Sequence, residues 1–261
     1  MRLIKGRLRL GLVSSAVGVL AAVVLAGGAG AETATVGNIK FTANGGFSPK
    51  ALPKKSFAPI ALTAAGKIQT TDGTHPPALR EVLLETDRNG AISVKGYPTC
   101  TSGKLQAQTV AAARQICGSA LIGQGTTKIR IAMQDQKPIS VSSELLVLNG
   151  GFRGGTTTLY IHAYITVPIP AAVVTTVKIK KINKGRYGLL SVAKIPTIAG
   201  GSGSVTDFKL KIDKKYTYKG KKVSVLSAKC PDGRLQAHAT AVFADGTRAG
   251  SEFVRPCTGK N

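Results

Sequence analysis

Side chains that could support acid–base or nucleophilic chemistry are scattered in this sequence. His75, His162 and His238 lie far apart, and neither an H-E-x-x-H nor a G-x-S-x-G motif is present. Ser202 and Ser204 belong to a glycine-rich segment, GGSGSV, which is typical of a flexible turn. These absences favour a non-catalytic protein, and an unrecognised hydrolase is the less favoured alternative.

The acidic residues mostly predict turns. Asp72, Asp232 and Asp245 are each followed directly by Gly, and Asp87 stands just before Asn89. Asp in such positions favours a chain reversal by hydrogen bonding to nearby backbone N–H groups. The four aspartates are therefore poor candidates for acid–base catalysis.

Four cysteines, Cys100, Cys117, Cys230 and Cys257, predict two disulfides. Of the three possible pairings we predict Cys100–Cys117 and Cys230–Cys257, because each pair brackets a short local segment. Each closed loop would contribute about 3 kcal/mol by restricting the unfolded chain. No pair has C-x-x-C spacing and no His is near in sequence, so neither a metal site nor a cofactor is predicted.

A short repeat surrounds two of these cysteines. CTSGKLQA at 100–107 and CPDGRLQA at 230–237 match at an offset of 130 residues, and the same offset superposes two further turn signals, 89–90 and 219–220. The match favours duplication or pseudo-symmetry, with halves near 57–135 and 139–261.

The pattern of short apolar and alternating runs predicts a mainly β protein. Runs of this kind recur through 57–254, separated by Gly- and Asn-rich turns, and no βαβ rhythm appears. We predict an antiparallel β-sandwich with one short helix near 105–117. The repeat makes its two halves candidates for a pseudo-duplication. The sandwich would form a single disulfide-stapled domain over 57–261, preceded by an extended lead-in at 32–56.

The N-terminal segment predicts export. Four basic residues precede an apolar run over 10–26, and Ala29-Gly30-Ala31 fits a signal peptidase site. Residues 1–31 are therefore interpreted as a Sec signal peptide cleaved after Ala31, with a retained membrane anchor as the alternative. The mature protein is expected to be secreted or to lie on the exterior of the cell envelope.

The charge predicts an anionic partner. The chain has 36 Lys and Arg against 12 Asp and Glu, a formal net charge of +24. Much of the excess lies in two segments that alternate apolar and basic side chains. If these segments were neighbours, their basic sides would form one cationic plate. The candidate residues are Lys178, Lys180, Lys181, Lys184, Arg186, Lys209, Lys211, Lys214, Lys215, Lys219, Lys221 and Lys222.

One strand carries a further candidate surface. In LYIHAYITV, the side chains of Tyr160, His162 and Tyr164 would share one face of the strand. They are interpreted either as a mixed outer face of a half-buried strand, which is favoured, or as a recognition stripe.

Three segments, HPPALREVLLETDRNG, YIHAYITVPIPAAVVTTVKIKKI and IAGGSGSV, resemble a group of exported actinobacterial proteins of unassigned function. The resemblance implies export and a bacterial envelope setting. It implies no catalytic or binding residues.

The sequence thus predicts an exported non-catalytic binding or structural protein. Its expected partner is an anionic cell-wall polymer or a membrane surface, and nucleic acid is less favoured because lysine predominates over arginine. The alternative is a carrier that encloses a small apolar ligand, which a large apolar cavity would favour. The oligomeric state is not predicted.

Overall fold

A computed structural model describes residues 31–261 and is mainly β, as the sequence predicts. The predicted signal peptide lies outside these residues except for Ala31. The helix α1 spans Val110–Cys117, so it begins five residues later than predicted, with the Thr109 hydroxyl accepting from the Ala112 N–H as its cap. No helix in residues 31–261 is long and apolar enough to cross a membrane.

Twelve strands form one antiparallel sheet, in the order β1-β2-β5-β13-β8-β9-β10-β11-β12-β6-β17-β18. The small sheets are β4-β16-β7, β14-β15 and β3-β19. The strands are β1 (Glu32–Val36), β2 (Ile39–Ser48), β3 (Ala51–Pro53), β4 (Ala58–Pro59), β5 (Ala61–Thr70), β6 (Leu79–Asp87), β7 (Gly90–Ile92), β8 (Leu121–Met133), β9 (Gln136–Arg153), β10 (Thr156–Ile165), β11 (Ala171–Lys184), β12 (Tyr187–Lys194), β13 (Gly203–Ile212), β14 (Lys215–Tyr218), β15 (Lys221–Ser224), β16 (Leu226–Ala228), β17 (Arg234–Phe243), β18 (Arg248–Pro256) and β19 (Thr258–Lys260).

The large sheet curls until its two edge strands, β1 and β18, lie side by side. Arg255 on β18 bridges this seam: its Nη1 and Nη2 donate to the two carboxylate oxygens of Glu32 on β1, at 2.7 and 3.0 Å, and its Nε donates to the Gly45 carbonyl at 2.6 Å. The fold is therefore a nearly closed sheet whose concave face is the interior. The prediction of a mainly β protein is confirmed, while two stacked sheets are not.

The strand register defines two ends of the curled sheet. The turns at 154–155 and 185–186 and the hairpin over 213–224 all leave the same end, which we call the lysine-rich end. The small sheet β4-β16-β7 lies there as well, because β7 follows the turn after β6 and β4 precedes β5. The connections at 134–135, 166–170, 195–202 and 244–247 leave the opposite end.

Residues 32–56 are not a lead-in to the domain, contrary to the prediction. They contain β1 and β2, and β2 pairs with β5 over its whole length. Its side chains alternate, so that Ile39, Phe41 and Ala43 are buried. Glycines and paired lysines masked this alternation in the sequence, and the domain includes β1 and β2.

The sequence pattern predicts a strand only over 128–133, whereas β8 begins at Leu121, because Gly123 and Gly125 interrupt the apolar pattern of its first half. Both glycines lie where β13 approaches closely: a Cβ on Gly125 would overlap the carbonyl oxygen of Lys209. The glycines therefore permit the tight pairing of β8 with β13 rather than ending the strand.

Replacing Gly125 by Ala is expected to lower the free energy of unfolding by about 1–3 kcal/mol, since the backbones must separate to admit the methyl group. Urea denaturation would measure the loss. Gly103→Ala is the matched control, because a Cβ there meets nothing within 4 Å. Equal stability of the two variants would contradict the close-approach explanation.

Both disulfides have the predicted pairing, Cys100–Cys117 and Cys230–Cys257. The repeat around them is not structurally equivalent, however. The first LQA segment forms a turn before α1, whereas the second opens strand β17. What the copies share is a leucine, Leu105 or Leu235, packed in one cluster with its disulfide.

Candidate functional site: an apolar lumen

The concave face of the curled sheet encloses an apolar cavity of about 400 Å³, which we call the lumen. Every strand of the large sheet except β1 contributes residues to its wall. Two strands of a small sheet, β7 and β16, contribute as well. Pockets that hold small-molecule ligands measure about 300–1,000 Å³, whereas ordinary cores contain few voids larger than a water molecule. The lumen is therefore large enough to be a binding site.

Strand alternation explains why the wall is apolar. On β6, Val82, Leu84 and Thr86 face the lumen, and the intervening Leu83 and Glu85 face outward. The same alternation runs through the neighbouring strands. Val82 and Leu84 are only partly buried although they point inward, because part of the space in front of them is not filled by protein.

Small side chains create this space. Ala64 on β5, Ala163 on β10, Ala193 on β12, and Ala237 and Ala239 on β17 all line the lumen. Larger residues at these positions would close the cavity, as side chains do in a filled core. The alanine positions are thus the feature of the sequence that leaves room for a ligand.

Apolar clusters lie at both ends of the lumen. At the lysine-rich end, Phe47, Ile60 and Leu235 pack around the Cys230–Cys257 disulfide. At the opposite end, Ile198 of the connection between β12 and β13 packs against the end of β10. The lumen is therefore elongated along the strands, with most of its apolar wall between these two clusters.

Few polar groups face the lumen. Asp87 and Arg255 line it near the lysine-rich end, and both have protein partners. Thr86, Thr175 and Ser191 also line it, and within the described residues their hydroxyl groups make no hydrogen bond. The wall offers hydroxyl groups but no unpaired charge, so it suits an uncharged apolar molecule with at most a few hydrogen-bonding groups.

One serine contacts a histidine, which a hydrolase would require. The Ser204 Oγ lies 3.1 Å from the His75 Nε2, but it also donates to the Pro76 carbonyl at 2.6 Å, and Ser204 is almost fully buried. No carboxylate among the described residues pairs with His75; burial, and then the positive charge of Arg130, lowers its pKa. The pair lacks both the acid and the accessible nucleophile of a catalytic triad.

The predicted stripe of Tyr160, His162 and Tyr164 is not an exposed surface. Helix α1 and the loop before it cover this part of the outer face, and His162 is fully buried with its Nε2 3.0 Å from the Gln108 carbonyl. Tyr160 packs against the same cluster. The alternation that predicted a shared face was correct, but the sequence did not show that the helix packs on it.

Burial lowers the pKa of His162, and also that of His75. Below an unfolded-state pKa near 6.5 the unfolded chain therefore binds protons that the folded chain does not. Stability is expected to fall as the pH is lowered from 7 through about 6.5 toward the depressed folded-state values. Urea denaturation at a series of pH values would measure the slope.

The double variant His75→Gln, His162→Gln is expected to flatten this slope, because it removes both depressed groups. His238→Gln serves as the matched control, since His238 is partly exposed beside Glu85. An unchanged slope in the double variant would show that other groups govern the pH dependence.

The predicted role of the aspartates in turns is confirmed for three of them. Asp72, Asp87 and Asp245 each accept a hydrogen bond from the backbone N–H two residues onward, at 2.9–3.0 Å. Asp232 also pairs with Arg186, and that guanidinium, followed by the backbone N–H of Arg234 two residues onward, lowers the pKa of its carboxyl. No cluster of His, Cys, Asp or Glu in residues 31–261 could hold a metal ion.

The lysines on the strands do not form one plate. Lys178 and Lys180 lie on β11, and Lys209 and Lys211 on β13, with β8, β9 and β10 between them. Four strand spacings are roughly 19 Å, and the curl of the sheet turns the two rows in different directions. The sequence could not show that three strands from elsewhere in the chain separate these segments.

The lysines in the turns do share one end of the molecule. The turn after β11 and the β14–β15 hairpin both leave the lysine-rich end. The acids nearby already have partners: Glu85 pairs with Lys184 at 2.9 Å, Asp213 with Lys211 at 2.6 Å, and Asp87 and Asp232 with Arg186. Exposed lysines without an ion pair among the described residues are Lys181, Lys214, Lys215, Lys219, Lys221 and Lys222.

No protein-family model, curated protein or solved structure matches this chain. The resemblance to exported actinobacterial proteins therefore stays a prediction. The two disulfides fit a non-reducing environment.

Proposed function

We propose that this protein is an exported, non-catalytic carrier that holds a small apolar ligand in its lumen. The observation that carries the proposal is the apolar cavity of about 400 Å³ within a nearly closed sheet. An unfilled space of this size costs packing energy, and a ligand that occupies it recovers that energy by burying apolar surface.

The wall also limits the chemistry of the ligand. Asp87 and Arg255 are satisfied by protein groups, so a charged group on the ligand would lose its hydration without gaining an unpaired partner. Hydroxyl or carbonyl groups can be accommodated by Thr86, Thr175 and Ser191. We infer an uncharged hydrocarbon-like ligand.

The proposal is tested with the uncharged dye N-phenyl-1-naphthylamine, whose fluorescence rises in an apolar environment. Saturable binding with one site per chain, together with a co-purifying apolar molecule in native mass spectra, is the expected result. Absence of dye binding in the oxidised protein, with no such molecule, would overturn the proposal.

A second candidate function is attraction to an anionic surface or polymer, through the lysine-rich end rather than through a plate of strand lysines. It is favoured by the pairing of the acids at that end, which leaves the turn lysines uncompensated. Such attraction is electrostatic, so binding should weaken steeply with added salt. The two proposed functions use different parts of the molecule and are compatible.

A further inference from the structure

The lysine-rich end carries two exposed aromatic side chains among its positive charges. Phe152 is 66% exposed at the end of β9, next to the turn at 154–155, and Phe57 is 48% exposed just before β4. Single exposed apolar residues are common on protein surfaces. These two differ from that case because both lie at the end where the unpaired lysines project.

Basic residues adjoin both phenylalanines in the sequence, and one contacts the Phe57 ring in space. Arg153 follows Phe152 directly, and the Lys229 ammonium lies 5.5 Å from the centre of the Phe57 ring. Lys54 and Lys55 precede Phe57 and are exposed. No acidic residue stands within two positions of either phenylalanine in the sequence.

Aromatic rings and basic side chains on one surface match the two layers of a lipid interface. The rings can enter the boundary between headgroups and acyl chains, while lysines bind anionic headgroups above it. A hydrophilic anionic polymer or a nucleic acid backbone would bind the lysines but would gain nothing from burying the exposed ring of Phe152. The combination therefore favours a bilayer over a polymer.

We propose that the lysine-rich end docks on an anionic lipid bilayer, with Phe152 inserted at the interface and the surrounding lysines bound to headgroups. This inference rests on the second proposed function, attraction to an anionic surface, and names its partner class. It is independent of what occupies the lumen.

The test compares sedimentation of the oxidised mature protein with vesicles of phosphatidylcholine and with vesicles that also contain phosphatidylglycerol. Polyphosphate serves as the soluble anionic polymer. Wild-type protein is expected to bind the anionic vesicles, to bind neutral vesicles much more weakly, and to be released by salt.

The decisive variant is Phe152→Ser, because it changes no charge. Its binding to anionic vesicles should weaken by about tenfold, the loss expected for one buried aromatic side chain, while its binding to polyphosphate stays unchanged. Ile169→Ser is the matched control. Ile169 is 75% exposed, but it lies in the 166–170 connection at the opposite end.

Charge-reversal variants test electrostatic attraction to an anionic surface separately from the insertion of Phe152 into a bilayer. Lys215→Glu, Lys221→Glu, Lys222→Glu should abolish binding to both vesicles and polyphosphate, whereas Lys137→Glu, Lys194→Glu, Arg248→Glu at the opposite end should reduce it only modestly. All six side chains are exposed. Circular dichroism would verify that each variant is folded.

Each outcome has one meaning. Equal vesicle binding by Phe152→Ser and wild type would overturn membrane insertion but leave electrostatic attraction standing. Stronger binding of wild type to polyphosphate than to anionic vesicles, unaffected by Phe152→Ser, would favour a polymer partner. No binding to either probe at low salt would overturn both the inference and the second proposed function.

Discussion

Replacing Ala193 by Phe is expected to weaken binding of N-phenyl-1-naphthylamine by about thirtyfold. The new ring would occupy part of the lumen, so dye atoms equivalent to one buried leucine-sized group, worth about 2 kcal/mol, would lose their place. Ala193 lines the lumen and is only partly buried, which means that the larger side chain has space to enter. Fluorescence titration measures the affinity.

A matched control is provided by the next residue on the same strand. Val192 faces outward from β12, and Val192→Phe should leave dye binding unchanged. Thermal unfolding of both variants would confirm that they are folded. Equal weakening by the two variants, or no weakening by Ala193→Phe, would show that the dye binds elsewhere and that the lumen is not the site.

If the lumen and the lysine-rich end both act as proposed, they suggest how a ligand is exchanged. An uncharged apolar molecule is poorly soluble in water and is stored in membranes, so a carrier gains from docking on a bilayer. Asp87 and Arg255 mark the part of the lumen nearest the lysine-rich end. Docking at that end would place the lumen against the lipid source, and the variants of Phe152 and Ala193 test the two steps separately.

The strand content was predictable because alternation is a local property. The segment 235–243, for example, predicts β17 to within one residue, since small or apolar side chains alternate with others through it. The segment 79–86 predicts β6 less directly, because its apolar residues do not alternate and their spacing also fits a helix. The disulfide pairing was predictable for the same local reason. The local pattern does not predict the strand around Gly123 and Gly125, because the role of these glycines depends on β13, a neighbouring strand that is distant in sequence.

The arrangement of the strands could not be read from the sequence. Nothing local indicates that β13 inserts between β5 and β8, or that β6 lies between β12 and β17. These non-local pairings decide that Lys178 and Lys209 are separated, that His162 is buried under α1, and that the alanines of β12 and β17 face a common space. The candidate site depends on pairings of this kind, and only its apolar, alternating strands were visible beforehand.

The buried carboxylate of Asp87 stabilises the fold next to the lumen. It is 3% exposed and accepts hydrogen bonds from the backbone N–H groups of Asn89 and Gln236 at 2.9 and 3.0 Å, and from the Arg186 Nε at 2.7 Å. These contacts join the end of β6 to β17 and to the turn before β12. Arg186 also pairs with the more exposed Asp232, and this pairing is the main reason why the pKa of the guanidinium is raised.

Asp87→Ala is expected to lower the free energy of unfolding by about 3–5 kcal/mol, because it leaves a guanidinium edge, the buried N–H of Asn89 and the partly buried N–H of Gln236 without an acceptor. Asp232→Ala removes the other carboxylate from the same guanidinium, but the Asp232 side chain is 43% exposed and its loss should cost only about 0–1 kcal/mol. Urea denaturation at pH 7 measures both values. Similar losses in the two variants would mean that burial does not set the strength of this network, whereas a large difference would assign the stability to the contacts of Asp87 beside the lumen.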